Sequence, residues 1–373
     1  MKIGLFPLNI AAAVAVLAVL SAFPCDAQKA HETSGWRPTA LPLLNFSSDD
    51  GTGYGLRVNL FEYDGVSVPY RRKYSVQLFM TTKGTWVHRV LVDTPHLRPG
   101  QRLEGELVYE KEDFANYYGG LSDEDSDGYS RDQKTFRQAF PELKVKWIRT
   151  LRVPWRLRLG GRLSHRDITP NALTGSILAD LDPLGADGGM FAQINSSLRY
   201  DTRDDYNNAT SGVLEELLVG FGLGGGGDYR GVTFSFDHRH FRPLTQTLLF
   251  AHRMSVDWTL GDLPFYEELK LGGSRTVRGA PSARDRGEAR ILLNGELRWR
   301  GLPLWRRRHM YLGVAVFGDL GQIFERGELP HGGEWRRGVG MGLRYHWQST
   351  IVRADYGSSG DRTAIYITFS QVF

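Results

Sequence analysis

A single cysteine in 373 residues rules out a disulfide-stapled scaffold. Charge of one sign is scarce as well. The 46 Lys and Arg nearly balance 42 Asp and Glu, and the net +4 is too mild to argue for nucleic acid. Beyond residue 20 there is no long apolar run, and mean hydropathy is -0.34. A bundle of membrane-crossing helices, each needing about 20 apolar residues, is therefore excluded. What the chain has in quantity is glycine (44 residues) and aromatic side chains (12%). A transmembrane β-barrel combines these features, because its apolar surface occupies only every second residue and its average looks soluble.

The N-terminus carries an export pattern. Lys2 precedes an apolar stretch from Ile10 to Leu20, and Cys25-Asp26-Ala27 ends in a small residue. Such a segment reads as a signal peptide over residues 1–27, cut after Ala27. A lipoprotein cut before Cys25 has a poor approach in Ala22-Phe23-Pro24. Cleavage after Ala27 removes Lys2, Asp26 and the only thiol, so the net charge stays at 45 − 41 = +4.

After residue 27 the recurring signal is alternation. Tyr74, Val76, Leu78 and Met80 share one face of a run; Leu103, Gly105, Leu107 and Tyr109 oppose Glu104 and Glu106 in another. Ile291, Leu293, Leu297 and Trp299 oppose Asn294, Glu296 and Arg298. Period-two alternation over seven to ten residues is the half-buried strand pattern. Sixteen such runs are predicted, the first at 41–48 and the last at 363–373. Short links alternate with long ones at 113–136, 166–189 and 261–288, the outer-membrane barrel pattern. Asp319 shares a face with Phe317 and Gly321, opposite Val314 and Val316, and so points into the lumen with Glu296. Ile365, Ile367, Phe369 and the terminal Phe373 are expected to share a face, interrupted by Gln371. The fold is predicted to be all-β, a 16-stranded antiparallel transmembrane barrel with the loop at 261–288 folded into the lumen. Residues 28–40 would form a short periplasmic segment and 41–373 the barrel.

Three patches resemble one family. Residues 200–212 (Tyr-Asp-Thr-Arg-Asp-Asp-Tyr-Asn-Asn-Ala-Thr-Ser-Gly) are similar to the YDTRD…P-x-x-G turn of outer-membrane assembly and translocation barrels typified by BamA and TamA, with Ala209 in place of proline. Residues 271–280 contain Val277-Arg278-Gly279 and resemble that family's loop motif, with Ala280 replacing an aromatic. Phe317, Asp319 and Gly321 match its F-x-D-x-G strand motif, and Asn116 to Gly120 weakly echo a fourth pattern. The resemblance implies that Arg278 locks against Asp319, Glu296 or both, a pair that shielding from water would make strong and specific. It also implies that the terminal aromatic Phe373 serves as an assembly signal. The family's periplasmic receiving domains, about 75 residues each, have no room between Ala27 and Leu41.

No enzyme is expected. His88, His165, His238, His240, His252, His309 and His346 are scattered, and no G-x-S-x-G is present. Asp123, Asp125, Asp127 and Gly128 match the first half of a calcium loop, but Lys134 stands where the closing glutamate belongs. These acids either touch divalent-bridged lipopolysaccharide or are solvated. Gly222 and Gly224 to Gly227 read as a flexible turn, since no helix follows to make a phosphate cradle. No cofactor or metal is expected. The implied function is assistance in inserting or moving proteins or lipids across a Gram-negative outer membrane, through a weakly closed seam between first and last strands. Outer-membrane lipid, lipopolysaccharide and a periplasmic or lipoprotein partner are the expected contacts. The alternative is a passive barrel or narrow pore whose loops are surface antigens.

Overall fold

Hydrocarbon offers no hydrogen-bond partners, so a membrane-crossing sheet must satisfy its backbone internally, and closure removes the edges. The structure, a computed structural model, describes residues 34–305, 310–325, 335–347 and 350–373. The expected signal peptide, residues 28–33 and the basic run Arg306-Arg307-Arg308 lie outside them.

Among the described residues sixteen strands close into one antiparallel barrel. They begin with β1 (Ser34–Ser47), β2 (Gly51–Asp64), β3 (Arg72–Thr81), β4 (Trp86–Arg98), β5 (Gln101–Asn116) and β6 (Thr135–Arg152). Next come β7 (Trp155–Pro170), β8 (Gly189–Asp201), β9 (Gly212–Gly224), β10 (Tyr229–Pro243) and β11 (Leu248–Asp262). A small hairpin, β12 (Leu269–Leu271) and β13 (Asp285–Gly287), interrupts the wall. The wall resumes with β14 (Ala289–Trp305), β15 (Met310–Phe324), β16 (Arg336–Trp347), β17 (Thr350–Ser359) and β18 (Arg362–Phe369). β11 pairs directly with β14, which leaves the β12–β13 hairpin inside the barrel. Leu271 of that hairpin packs on Leu292 and Ile323 of the inner wall.

The alternation sorts outside from inside. Leu217, Val219, Phe221 and Leu223 of β9 are exposed, as are Leu56, Val58 and Leu60 of β2; these form the lipid-facing band. Trp155 and Tyr200 sit ring to ring at 5.0 Å beside the short-turn end. The inner face carries ion pairs, for example Lys146 to Glu104 at 3.0 Å and Arg290 to Asp257 at 2.7 Å.

Three features differ from the sequence-based expectation. First, β1 begins at Ser34 rather than Leu41, so residues 34–40 belong to the wall. Pro38 and Pro42 hide it, because proline is discounted in strands. Ser48 N–H donates to the Ile365 carbonyl (3.0 Å), so the even-numbered amides of β1 face β18. Pro38 and Pro42 thus lack donors only on that edge, and the odd-numbered residues keep the β2 ladder intact. Second, β18 ends at Phe369, where Ser370 turns with φ +67. Phe373 leaves the outer face and packs inside the barrel on Phe241, with Ala209 and Ala251 in the same cluster. Third, part of the interior is apolar. Tyr117, Phe136, Ile177, Leu178, Phe191, Phe265 and Tyr266 form a core at the long-loop end, so the loops at 117–134 and 171–188 also close the lumen.

Candidate functional site

The lumen loop hangs from β11 and β14, and its tip reaches the inner wall at β14 to β18. Arg278 is the tip. Its Nε and Nη2 donate to the two carboxylate oxygens of Asp319 on β15, at 2.7 and 2.8 Å, and its backbone N–H donates to the same group at 3.1 Å. Its Nη1 reaches Glu296 on β14 and Asp355 on β17, the latter at 3.3 Å. The guanidinium also lies 3.4 Å from the Phe317 ring centroid. Arg278, Glu296 and Asp355 side chains are fully buried. A bidentate pair stacked on an aromatic is the arrangement that arginine makes and lysine does not.

The seat for this tip is cut by glycine. Gly338, on β16, faces the Arg278 carbonyl so closely that a Cβ would overlap it. Gly357 on β17 lies under the backbone of Arg278 and Gly279, where a Cβ would be tightly crowded at 3.0 Å. Gly279 itself has φ +101, and a side chain there would strike the backbone of Ser358 and Ser359. Gly321 admits the Leu271 side chain. Val277 is buried beside Leu271, Ala280 and Leu292, so the small Ala280 packs in an apolar pocket where an aromatic was expected.

The structure therefore brings Val277, Arg278, Gly279, Glu296, Phe317, Asp319 and Gly321 into one assembly. Phe373 is elsewhere, at the short-turn end. The sequence reading missed Asp355, Asn294, Arg344, Arg353 and Tyr366. Asn294 donates to Asp319 (2.8 Å) and to the Thr276 carbonyl (2.7 Å), tying Asp319 to the loop two residues before Arg278. Arg344 pairs with Asp355, and Arg353 lies 3.5 Å from it. The signal was available: Ile351, Arg353, Asp355 and Gly357 alternate with Val352, Ala354 and Tyr356. Only the closed wall shows which alternating acids meet.

The lumen loop also spans the seam. Gly279 N–H donates to the Tyr366 hydroxyl of β18 at 3.2 Å. Ser282 N–H donates to the Asp49 carboxylate, in the turn after β1, at 3.2 Å. Burial pushes the Asp49 carboxyl up to about 6 despite that hydrogen bond. The expected calcium-like acids are turned to arginines instead. They form a short helix, α1 (Asp123–Asp127), in which Asp123 binds Arg284 (2.7 Å) and Arg336 (3.1 Å), and Asp127 binds Arg362 (2.5 Å). The Tyr200 turn is an Asp-rich knot: Arg203 forks onto Asp201 at 2.9 and 3.0 Å, and Asp205 accepts the amides of Asn207 and Asn208.

A family model described as the Omp85 superfamily domain matches residues 72–370. The chain belongs to the Omp85 superfamily. Like other Omp85 members, it is an integral outer-membrane barrel of the insertion or translocation type. BamA from Haemophilus ducreyi lacking POTRA domains 1–3 superposes with a TM-score of 0.64 at 14% identity, over 91% of this chain and 70% of that one. CdiB from Escherichia coli gives 0.62 at 14% identity, over 91% and 63%. CdiB from Acinetobacter baumannii gives 0.52 at 13%, over 91% and 66%. Identities this low establish a shared barrel fold. No curated protein matches the sequence. The short-turn end of this Omp85 barrel faces the periplasm, as in outer-membrane barrels generally.

Proposed function

We propose that this barrel passes polypeptide or lipid through the seam between β1 and β18, while the Arg278 assembly keeps the lumen shut. The observation that carries the reading is the seam. β1 pairs with β2 along all of its 14 residues, but its register with β18 is only Phe46 to Ile367 and Ser47 to Tyr366. Residues 34–45 of β1 thus present an edge with no strand on it among the described residues, and an exposed edge is a template for an incoming strand. Pro38 and Pro42 thin the donors along that edge, so a guest is held by alternate amides rather than a full ladder.

The lumen loop supplies the coupling. With Tyr366 on one side of the seam and Asp49 on the other, it staples the two edges together. Displacing Arg278 from Asp319 would release the staple. In this reading Val277, Arg278, Gly279, Glu296, Phe317, Asp319 and Gly321 form the lock. Phe373 acts as an assembly signal before folding, and afterwards its ring closes the periplasmic mouth. Residues 1–27 direct export. Outer-membrane lipid and lipopolysaccharide surround the wall, and a periplasmic or lipoprotein partner delivers clients. No step calls on catalysis, a metal or a cofactor.

A photo-crosslinking residue at Ala40, exposed on the unpaired edge, tests the reading in living envelopes. Expected are adducts with polypeptide or translocated lipid that are missing from the same probe at Val219 on the far wall. Identical adducts at both positions would contradict it.

A further inference from the structure

The arginines under the lock outnumber their acids. Arg278, Arg298, Arg344 and Arg353 share Glu296, Asp319 and Asp355, which leaves four cations on three carboxylates. The deficit is visible atom by atom. Arg298, 5% exposed, commits Nε to Glu296 (2.6 Å), while its Nη1 and Nη2 have no hydrogen-bond partner among the described residues. Arg344, 1% exposed, gives Nε to Gln371 and Nη1 to Asp355. Its Nη2, 3.7 Å from Glu296, makes no hydrogen bond. Buried guanidinium donors without partners cost free energy until an anion meets them.

Both side chains line a cavity of about 170 Å³ at the periplasmic mouth, beneath the 244–247 turn. That is the scale of the cavity of about 150 Å³ that admits a benzene molecule. Its wall contains Arg298, Arg300, Arg344 and His346, hydroxyl and amide donors such as Thr210 and Gln371, and, among the described residues, no Asp or Glu. Arg300 is exposed at the rim, where it would meet an anion first. Phe241 and Phe373 flank Arg298, with its guanidinium 6.0 and 5.2 Å from their ring centroids, and hold it in place.

We propose that this cavity is a binding site for a phosphate group, either the headgroup of an inner-leaflet lipid or free phosphate from the periplasm. A planar guanidinium fork matches two phosphate oxygens. One such fork on Arg298, a further free donor on Arg344 Nη2 and no carboxylate among the described lining residues select an oxyanion over a cation or a neutral polar group. The site lies one side chain away from the lock, through Glu296, which Arg298 and Arg278 share.

Isothermal titration of the full-length barrel in dodecyl maltoside tests the site. The probes are inorganic phosphate and dihexanoyl phosphatidic acid, each added in constant chloride. Saturable binding is expected, weakened about ten-fold or more by Arg298→Gln, since charge-assisted hydrogen bonds are lost. Arg300→Gln, exposed and outside the buried network, should weaken binding without disturbing the fold. Phosphatidic acid binding more tightly than phosphate assigns the site to lipid headgroups; equal binding assigns it to soluble phosphate. The proposal fails if neither probe saturates, as when the chain's own terminal carboxylate fills the cavity. It fails equally if Arg298→Gln and Arg300→Gln both bind as the parent does.

Discussion

Arg278 binds three carboxylates from three strands, and its value lies in what would remain without it. Arg278→Ala would leave Asp319 buried with no ion-pair partner among the described residues, and breaking a buried ion pair costs roughly 3–5 kcal/mol. We expect a loss of that order in unfolding free energy, read from urea titration of the heat-modifiable gel shift. Arg278→Lys should recover less than half of it, because the fork on Asp319 and the stacking on Phe317 need a planar group. Gly338→Val should act differently. It fills the seat under the Arg278 carbonyl and should displace the tip with the ion-pairing groups all present. At this scale the sequence was informative about residues whose alternation marks them as lumenal, Asp319 and Glu296 among them. Alternation marks Asp355 and Asn294 as lumenal too, but not their roles, which depend on which strands the closed wall sets side by side. The seat glycines carry no chemical signal; Gly338 and Gly357 matter only because a backbone passes over them.

β1 is the element on which the account turns. Its odd-numbered amides face β2 and its even-numbered ones face the seam. Hydrogen exchange along β1 should therefore alternate, with Thr39, Leu41 and Leu43 protected and Trp36, Ala40 and Leu44 exchanging fast. Uniform protection would mean that the edge is covered. The turn above β1 adds a pH term. The folded protein binds the Asp49 proton more tightly than the unfolded chain does, since burial raises its carboxyl to about 6. That contribution to stability is present at low pH and is lost as pH rises through about 6. Asp49→Asn should remove this part of the pH dependence of the thermal midpoint. All sixteen wall strands were legible as period-two runs; several run four or five residues longer than expected, and the errors that matter for the seam fall at its two strands. Proline masked the start of β1. Phe373, read as sharing a face with Ile365, Ile367 and Phe369, suggested that β18 continues, whereas it is drawn inward by Phe241 and Arg298.

The whole molecule is a barrel whose inside is largely occupied. The hairpin loop, the apolar core at the long-loop end and the Phe373 cluster at the other end each fill a level of the lumen. Conductance in planar bilayers should accordingly be small for the parent and larger for Gly338→Val, which frees the loop tip. A large parent conductance would point to a passive pore. The mean hydropathy of -0.34 now reads as an average over a lipid-facing band and an interior of ion pairs. That much was legible from alternation alone. The closing of the lumen by three loops was not, because it depends on contacts between residues as far apart as Tyr117 and Phe265.

The central claim is that function requires the seam to part. Phe46 and Ile367 face each other across it, and the only native cysteine is Cys25. The direct measurement is envelope function of the Phe46→Cys/Ile367→Cys double variant, oxidised and then reduced. The expected result is loss of function when the disulfide forms and recovery when it is reduced, with each single variant unaffected. Full activity of the oxidised, cross-linked barrel would contradict the account.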